Sequence, residues 1–135
     1  MRGRKAAARP IDTSDRLDKT PSVPAWMPAE AKAVWRQLAP VLTARGVLTI
    51  ESLGTLEAYA LAVGALRRAH RAIAADGDYQ RSEGGKVTRH AGFSTVAQMG
   101  AEARRLAAEL GLTPTSRGKI TDSKASDDQW DSMAL

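Results

Sequence analysis

The stretch that decides the fold is IESLGTLEAYALAVGALRRAHRAIAA, residues 50–75. Its large apolar residues recur every three or four positions, which is the spacing of one face of an α-helix. They are Leu53, Leu56, Tyr59, Val63, Leu66 and Ile73. Thr49 is a good N-cap for such a helix, and Asp76 and Gly77 end the pattern. The stretch therefore predicts one long helix over residues 50–75.

The same helix carries a second, smoother apolar face that points in another direction. One face can pack inside the protomer, while small side chains on the other let a neighbouring helix approach closely. The second face is a candidate oligomer interface made of Ala58, Leu61, Ala62, Ala65, Ala69 and Ala72. Alanine makes up 25 of the 135 residues, so the core is thin and self-association is favoured. The alternative is that both faces are buried within one chain.

Two shorter helices are predicted on either side of the long one. Pro28 suits the first turn of the earlier helix, Pro40 should kink or shorten it, and Gly46 ends it. Trp26 and Trp35 are predicted as core anchors, with DNA stacking as the alternative role.

The later helix is predicted to be capped by Ser94 and to run through Leu110. Between the helices, residues 78–93 are rich in turn-forming residues, and Gly84-Gly85 separates two short extended arms. This loop is either a hairpin or mobile. The predicted fold is all-α, mainly helical, with a helical-hairpin protomer and flexible tails.

The chain divides into three predicted parts. Residues 1–25 form a basic N-terminal arm, which is either a disordered solubilising tail or an arm that binds nucleic acid. Residues 26–120 form a helical core and oligomerisation domain. Residues 121–135 form a flexible acidic tail, whose apolar residues are candidate contacts for a partner protein. Those residues are Trp130, Met133 and Leu135, and plain disorder is the alternative.

Composition excludes several kinds of site. The chain has no cysteine, which rules out disulfides and thiolate metal sites. It has no apolar run long enough to span a membrane and no secretory signal, so a cytosolic protein is expected. His70 and His90 have no acid or second histidine at metal-ligand spacing. The stretch around Gly85-Lys86 fails the phosphate-loop pattern. We expect no enzyme, metal or cofactor.

Positive charge is the main functional signal in the sequence. The formal net charge is +5 and the pI is about 10.0, which permits contact with nucleic acid. The candidate DNA-binding residues are Arg2, Arg4, Lys5, Arg9, Arg67, Arg68, Arg71, Arg104, Arg105, Arg117 and Lys119. The alternative for each of them is a solvated surface position.

The stretch ELGLTPTSRGKI, residues 109–120, predicts a sharp break followed by a new turn. Gly111 ends the third helix with a left-handed cap. Thr113 then caps a short helical turn that begins at Pro114 and projects Ser116 and Arg117. These two side chains either dock the last segment or meet phosphate, and we favour docking.

Read in order, these pieces resemble the phage terminase small subunit family. Residues 24–63, PAWMPAEAKAVWRQLAPVLTARGVLTIESLGTLEAYALAV, give the first part of the likeness, and LGLTPTSR at residues 110–117 gives the last. The resemblance covers about residues 21–118 and places the chain in the branch with a C-terminal Leu-Gly-Leu-Thr-Pro-x-Ser-Arg motif. The loop has His90-Ala91 where a His-Pro step is usual in the family.

The resemblance implies a non-catalytic partner in viral genome packaging that acts in the host cytoplasm during phage assembly. Such a protein binds double-stranded viral DNA at the packaging site. It recruits and regulates the large terminase subunit, which carries the ATPase and nuclease. It also implies a homo-oligomeric ring of about eight to ten protomers.

Two other classes compete with this interpretation. A dimeric helical DNA-binding transcriptional regulator would need a short helix-turn-helix, and the 26-residue predicted helix argues against one. A small nuclease would need a cluster of metal ligands, which the spacing of the sequence does not provide.

Overall fold

The computed structural model describes residues 15–117 and is mainly helical, as predicted. Two helices, α1 and α3, both pack against a longer helix, α2, and the two strands β1 and β2 pair antiparallel. The elements in chain order are α1 Ala29–Ala44, α2 Leu53–Asp76, β1 Tyr79–Arg81, β2 Val87–Arg89 and α3 Gly92–Glu109. The loop between α2 and α3 is therefore the hairpin that the sequence allowed.

The main core lies where α1 meets the N-terminal half of α2. It is formed by Met27, Ala31, Val34, Trp35, Ala39, Leu42, Leu48, Leu56, Ala60 and Leu110. Trp35 is buried as predicted, and its indole Nε1–H donates to the carbonyl oxygen of Pro21 at 3.1 Å. The prediction for Trp26 is wrong, because that side chain is 63% exposed. Trp26 lies in the turn before α1, and Met27 beside it takes the buried position.

Residues 15–25 are part of the packed structure, so the tail predicted for residues 1–25 is too long. The Leu17 N–H donates to the carbonyl oxygen of Leu48 at 2.9 Å. The side chains of Leu17 and Val23 pack against the core. These apolar contacts and backbone hydrogen bonds offset the entropy of ordering a segment that is otherwise polar. Residues 1–14 lie outside the described part of the chain.

Helix α2 contacts a different neighbour on each side. A Cβ built on Gly64 would lie 2.9 Å from the backbone nitrogen of Ala31, so α1 crosses α2 closely at this glycine. On the other side, Leu66 and Ile73 face Gly100 and Gly92 of α3. The large-residue stripe predicted for one face is thus shared between two packing partners.

This arrangement corrects part of the predicted oligomer interface. Ala62 and Ala69 are buried within the protomer, at 2% and 9% exposure, and cannot supply a contact surface for another copy. The other four members, Ala58, Leu61, Ala65 and Ala72, are half-buried. The alanine face is therefore partly used inside one chain, because α3 and α1 together cover more of α2 than a helical hairpin would.

Two helices end in the same way and are followed by the same local pattern. Gly46 and Gly111 have φ angles of +67° and +68°, the left-handed conformation that glycine adopts most readily. A Leu-Thr-x-x-Ser sequence follows Gly111 directly and follows Gly46 after one intervening residue, Val47. Both glycine stops were predicted, and α1 runs past Pro40 to Ala44, so this proline does not shorten the helix.

In both copies of the pattern, the threonine and serine cap each other. The Ser52 N–H donates to Thr49 Oγ1 at 3.2 Å, and the Thr49 N–H donates to Ser52 Oγ at 2.8 Å. Ser116 and Thr113 repeat these two bonds at 3.2 Å each. The helical turn predicted after Thr113 is present at residues 114–117. Thr49, however, caps a turn that precedes α2, and the helix itself begins at Leu53 rather than at residue 50.

Helix α3 begins at Gly92, so Ser94 is not its cap. The ring nitrogen Nδ1 of His90 instead accepts a hydrogen bond from the Gly92 N–H at 2.9 Å. This bond satisfies one of the amides that are left without a partner at a helix start. The prediction failed because histidine is not among the usual capping residues.

Candidate nucleic-acid interface

The β-hairpin is the most exposed ordered element of the described chain. Strands β1 and β2 pair Tyr79 with Arg89, Gln80 with Thr88 and Arg81 with Val87. The loop is closed by two hydrogen bonds, from Ser82 N–H to the Lys86 carbonyl oxygen and from Gly85 N–H to the Ser82 carbonyl oxygen, each 2.9 Å long. All residues of the two strands and of the loop are exposed.

The hairpin carries three cations, and the strand register sets where they lie. Arg81 and Arg89 lie on the face that also carries Tyr79 and Val87, because paired residues and residues two apart share a face. Lys86 lies at the edge of the loop. The guanidinium of Arg89 stacks 4.0 Å from the ring centre of Phe93, in the first turn of α3. This contact fixes the base of the hairpin against α3.

These hairpin cations were missed from the predicted DNA-binding residues. The sequence signal was present, since Arg81, Lys86 and Arg89 flank the Gly84-Gly85 turn within nine residues. The arrangement of these cations depends on the strand pairing, and the sequence left a hairpin and a mobile loop both open. Strand alternation around the turn would have placed Arg81 and Arg89 on one face.

The arginine cluster predicted on α2 lies beside the start of α1. Glu30 forms ion pairs with Arg71 and, at 3.4 Å, with Arg68. Together with Ala29 and Ala33, the residues Glu30, Arg67 and Arg71 line an open cleft of about 470 Å³. Arg67 is exposed and forms no ion pair with any residue between 15 and 117.

The pKa of Glu30 lies below its ordinary value. The main cause is a hydrogen bond from its own backbone N–H at the first turn of α1, and the neighbouring Arg68 and Arg71 lower it further. Glu30 therefore stays negatively charged at neutral pH and holds two of the three predicted arginines of this cluster. An anion that approaches the cleft meets this carboxylate as well as the arginines.

On α3, the two predicted arginines differ in their contacts. Arg105 pairs with Glu102 at 3.2 Å from its Nε and with Glu109 at 2.8 Å. The hydrogen bond from Arg105 lowers the pKa of Glu102 and raises that of Arg105, so both groups remain charged at neutral pH. Arg104 is exposed and makes no ion pair within the described residues. Glu102 and Glu109 lie three and four positions from Arg105, the spacing that brings side chains together on a helix surface.

The remaining predicted residues divide by position. Arg117 is exposed at the end of the last helical turn, where its N–H donates to the Thr113 carbonyl oxygen at 2.9 Å. The other candidates lie outside the described residues: Arg2, Arg4, Lys5, Arg9, Lys119, Trp130, Met133 and Leu135.

The described residues contain no group of three histidine or acidic side chains placed to hold a metal ion. None of the helices between residues 15 and 117 is long and apolar enough to cross a membrane.

The fold and its surface define a small helical protein with exposed arginines on α1, α2 and α3 and on a hairpin. Residues 31–127 match the family model described as phage terminase, small subunit. This match spans more than half of the chain, so the chain belongs to that family and has a role in phage genome packaging. Small subunits of this family are generally non-catalytic. Neither a curated protein nor a solved structure matches the chain.

Proposed function

We propose that this protein is the DNA-recognising, non-catalytic component of a phage packaging machine. It binds double-stranded viral DNA at the packaging site, and it recruits and regulates the large terminase subunit in the host cytoplasm. The observation that carries this proposal is the family match over residues 31–127. The basic net charge of +5 agrees with it, because phosphate contacts supply much of the affinity of such proteins.

Contact with DNA on the helices is proposed for the exposed arginines. Arg67 and Arg104 are the best placed of these, since neither is held by a carboxylate within residues 15–117. To contact phosphate, the other three would have to give up an ion pair with a carboxylate: Arg68, Arg71 and Arg105. The basic segment before residue 15 would add a second, sequence-independent contact.

Assembly into a ring of about eight to ten protomers is also proposed. The helical domain between residues 26 and 120 would carry the contacts. The half-buried residues Ala58, Leu61, Ala65 and Ala72 on α2 are the candidates that remain for this surface. The small core of a single protomer supports the proposal, because association would bury more apolar area.

The acidic segment at residues 121–135 is proposed to contact the large subunit through Trp130, Met133 and Leu135. A tail of this composition can fold on a partner and bury its few apolar side chains there. Deleting residues 121–135 should abolish recruitment of the large subunit. The number of protomers in the assembly, obtained from its native mass, should stay the same. Undiminished recruitment would contradict this part of the proposal.

The segment at residues 113–117 is proposed to dock against the protomer or its neighbour rather than to bind DNA. The mutual caps of Thr113 and Ser116 hold the turn in a fixed geometry, which suits a docking role. Replacing Arg117 by alanine should leave DNA affinity unchanged. Loss of DNA affinity with assembly intact would contradict this proposal.

The first experiment is the native mass of the purified protein at low and moderate salt, followed by DNA binding and stimulation of the large subunit's ATPase. A discrete species of about eight to ten protomers that binds DNA is expected. A dimer at both salts would favour the regulator instead. The structure gives no support to that alternative, because a helix-turn-helix joins its helices by three or four residues and both connections between the described helices are longer.

A further inference from the structure

We propose that the β-hairpin Tyr79–Arg89 is a DNA-contacting arm that enters the major groove and binds its flanking phosphates. This inference rests on the proposed DNA binding and assigns it to an element outside the helices. Three observations carry it: the exposure of the hairpin, its shape and its charge.

The hairpin is not explained by the packing of the protomer. Every residue from 74 to 89 is exposed, and within the described chain the two strands pair only with each other. Tyr79 is 67% exposed and Val87 is 51% exposed, so even the apolar residues of the ribbon contribute little to the core. A single two-stranded hairpin is marginally stable in water. Its retention as an ordered, exposed element points to a use outside the protomer.

The shape of the hairpin suits a DNA groove. The three-residue loop 83–85 is tight, and Gly85 adopts the positive φ of +80° that such a loop requires. Four residues of extended chain, from Tyr79 to Ser82, reach about 13 Å at roughly 3.3 Å per residue. The major groove of B-DNA is about 12 Å wide and about 8.5 Å deep and admits a two-stranded ribbon. The arm is therefore long enough to reach the base of the groove.

The charge of the hairpin suits phosphate. Between residues 79 and 89 there are three cations, Arg81, Lys86 and Arg89, and one carboxylate, Glu83. None of the three cations forms an ion pair with a residue of the described chain. Arg81 and Lys86 project near the loop, where they can meet the two sides of a groove, whereas Arg89 is stacked on Phe93 at the base.

The base of the hairpin is held firmly, which gives the arm a defined direction. The His90 N–H donates to the Asp78 carbonyl oxygen at 2.8 Å and closes the ribbon next to α3. The His90 ring also lies 3.0 Å from the carboxylate of Asp76, the last residue of α2. The base of the hairpin is thus attached to the end of α2 and to the start of α3.

Nucleic acid fits the hairpin better than a protein strand does. Strand addition by a partner needs a long exposed edge, and each strand here is three residues long. Positive charge on an edge also disfavours strand pairing between copies. The same charge favours phosphate.

The test compares two full-length double variants that remove the same charge. The first is Arg81→Gln with Lys86→Gln. The control is Arg36→Gln with Arg45→Gln, two exposed arginines of α1 and its C-terminal cap that form no ion pair in the described residues. Arg45 lies near the N-terminal end of α2, whereas the hairpin follows the C-terminal end of that helix. Binding of a short labelled DNA duplex of arbitrary sequence is measured between about 50 mM and about 200 mM salt.

The hairpin variant is expected to weaken DNA binding at least tenfold and to reduce the salt dependence. Each phosphate contact contributes about 0.9 to the slope of log affinity against log salt, so the slope should fall by about 1.8 for each hairpin in contact. The control should bind within about twofold of the wild type, and the native mass should be the same for all three proteins.

Four results would overturn the inference. Equal losses in both variants would show a general effect of charge, and a changed native mass in the hairpin variant would show a contact between protomers. A hairpin variant that binds like the wild type would remove this inference alone. A wild-type protein that binds no DNA even at about 50 mM salt would remove the proposed function as well.

Discussion

The Nε2 atom of His90 lies 3.0 Å from Oδ2 of Asp76, which links the end of α2 to the start of α3 across the base of the hairpin. The other ring nitrogen, Nδ1, accepts from the Gly92 N–H. A neutral ring with its proton on Nε2 satisfies both contacts, as assigned from the hydrogen bonds around it. One buried side chain therefore fixes the relative position of two helices and the hairpin between them.

Replacing His90 by alanine should destabilise the protein by about 1–3 kcal/mol, because it leaves the Gly92 amide without its acceptor and empties a buried position. Thermal unfolding measures the effect, and the midpoint should fall by several degrees. His70→Ala is the control, since the His70 side chain is exposed and makes no hydrogen bond within residues 15–117. Equal midpoints for the two variants would contradict the role given to His90.

Replacing Gly64 by alanine should destabilise the protein although alanine is the better helix former. The new methyl group would lie 2.9 Å from the Ala31 nitrogen and 3.2 Å from its Cα, so α1 would have to move away. Overpacking of this kind costs about 1–3 kcal/mol, more than the roughly 1 kcal/mol gained from helix propensity. Chemical denaturation measures the difference.

Gly54→Ala is the matched control for this change. Gly54 lies in the same helix, and a Cβ there would have no neighbour within 4 Å. This variant should be as stable as the wild type or more stable by up to about 1 kcal/mol. Two variants with the same sign of effect would argue against a close crossing of α1 and α2.

Replacing Glu30 by glutamine should raise DNA affinity, because it releases Arg68 and Arg71 and removes one negative charge from the cleft. Glu51→Gln changes the net charge equally at an exposed site with no ion pair among the described residues. Affinity measured by titration should rise more in the Glu30 variant. Equal gains would show that only the net charge matters.

The contribution of Glu30 to stability should also depend on pH. Its folded-state pKa is lowered, so the contribution is present above the ordinary value of 4.5 and is lost as the pH falls through the lower folded value. The acid side of a stability profile should therefore be flatter in Glu30→Gln than in the wild type. The same slope in both proteins would contradict the lowered pKa of Glu30.

Replacing Thr113 by valine should destabilise the last helical turn by about 1 kcal/mol, because the Ser116 N–H loses its hydrogen-bond acceptor, Thr113 Oγ1. Thr115→Val removes a hydroxyl from an exposed position of the same turn and serves as the control. Protection of the backbone amides of residues 115–117 against hydrogen exchange reports the difference. Equal protection in both variants would rule out the cap as the cause.

The sequence by itself determined the local features of this protein. The spacing of apolar residues around Leu56 indicated the long helix α2, Gly46 and Gly111 indicated where α1 and α3 stop, and the paired glycines at 84–85 indicated a tight turn. Such features depend on backbone conformation and on residues a few positions apart, so they can be recognised before the fold is known. The likeness of residues 24–63 and 110–117 to small terminase subunits rested on the same kind of local pattern.

Only the tertiary structure decided how these elements use their surfaces. It buried Ala62 and Ala69 inside the protomer, left Trp26 exposed and drew residues 15–25 onto the helices. It also joined Glu30 to Arg68, 38 residues away along the chain. The physical reason is that burial and ion pairing depend on which face of a helix another element covers, and that coverage is set by contacts between residues far apart in the sequence.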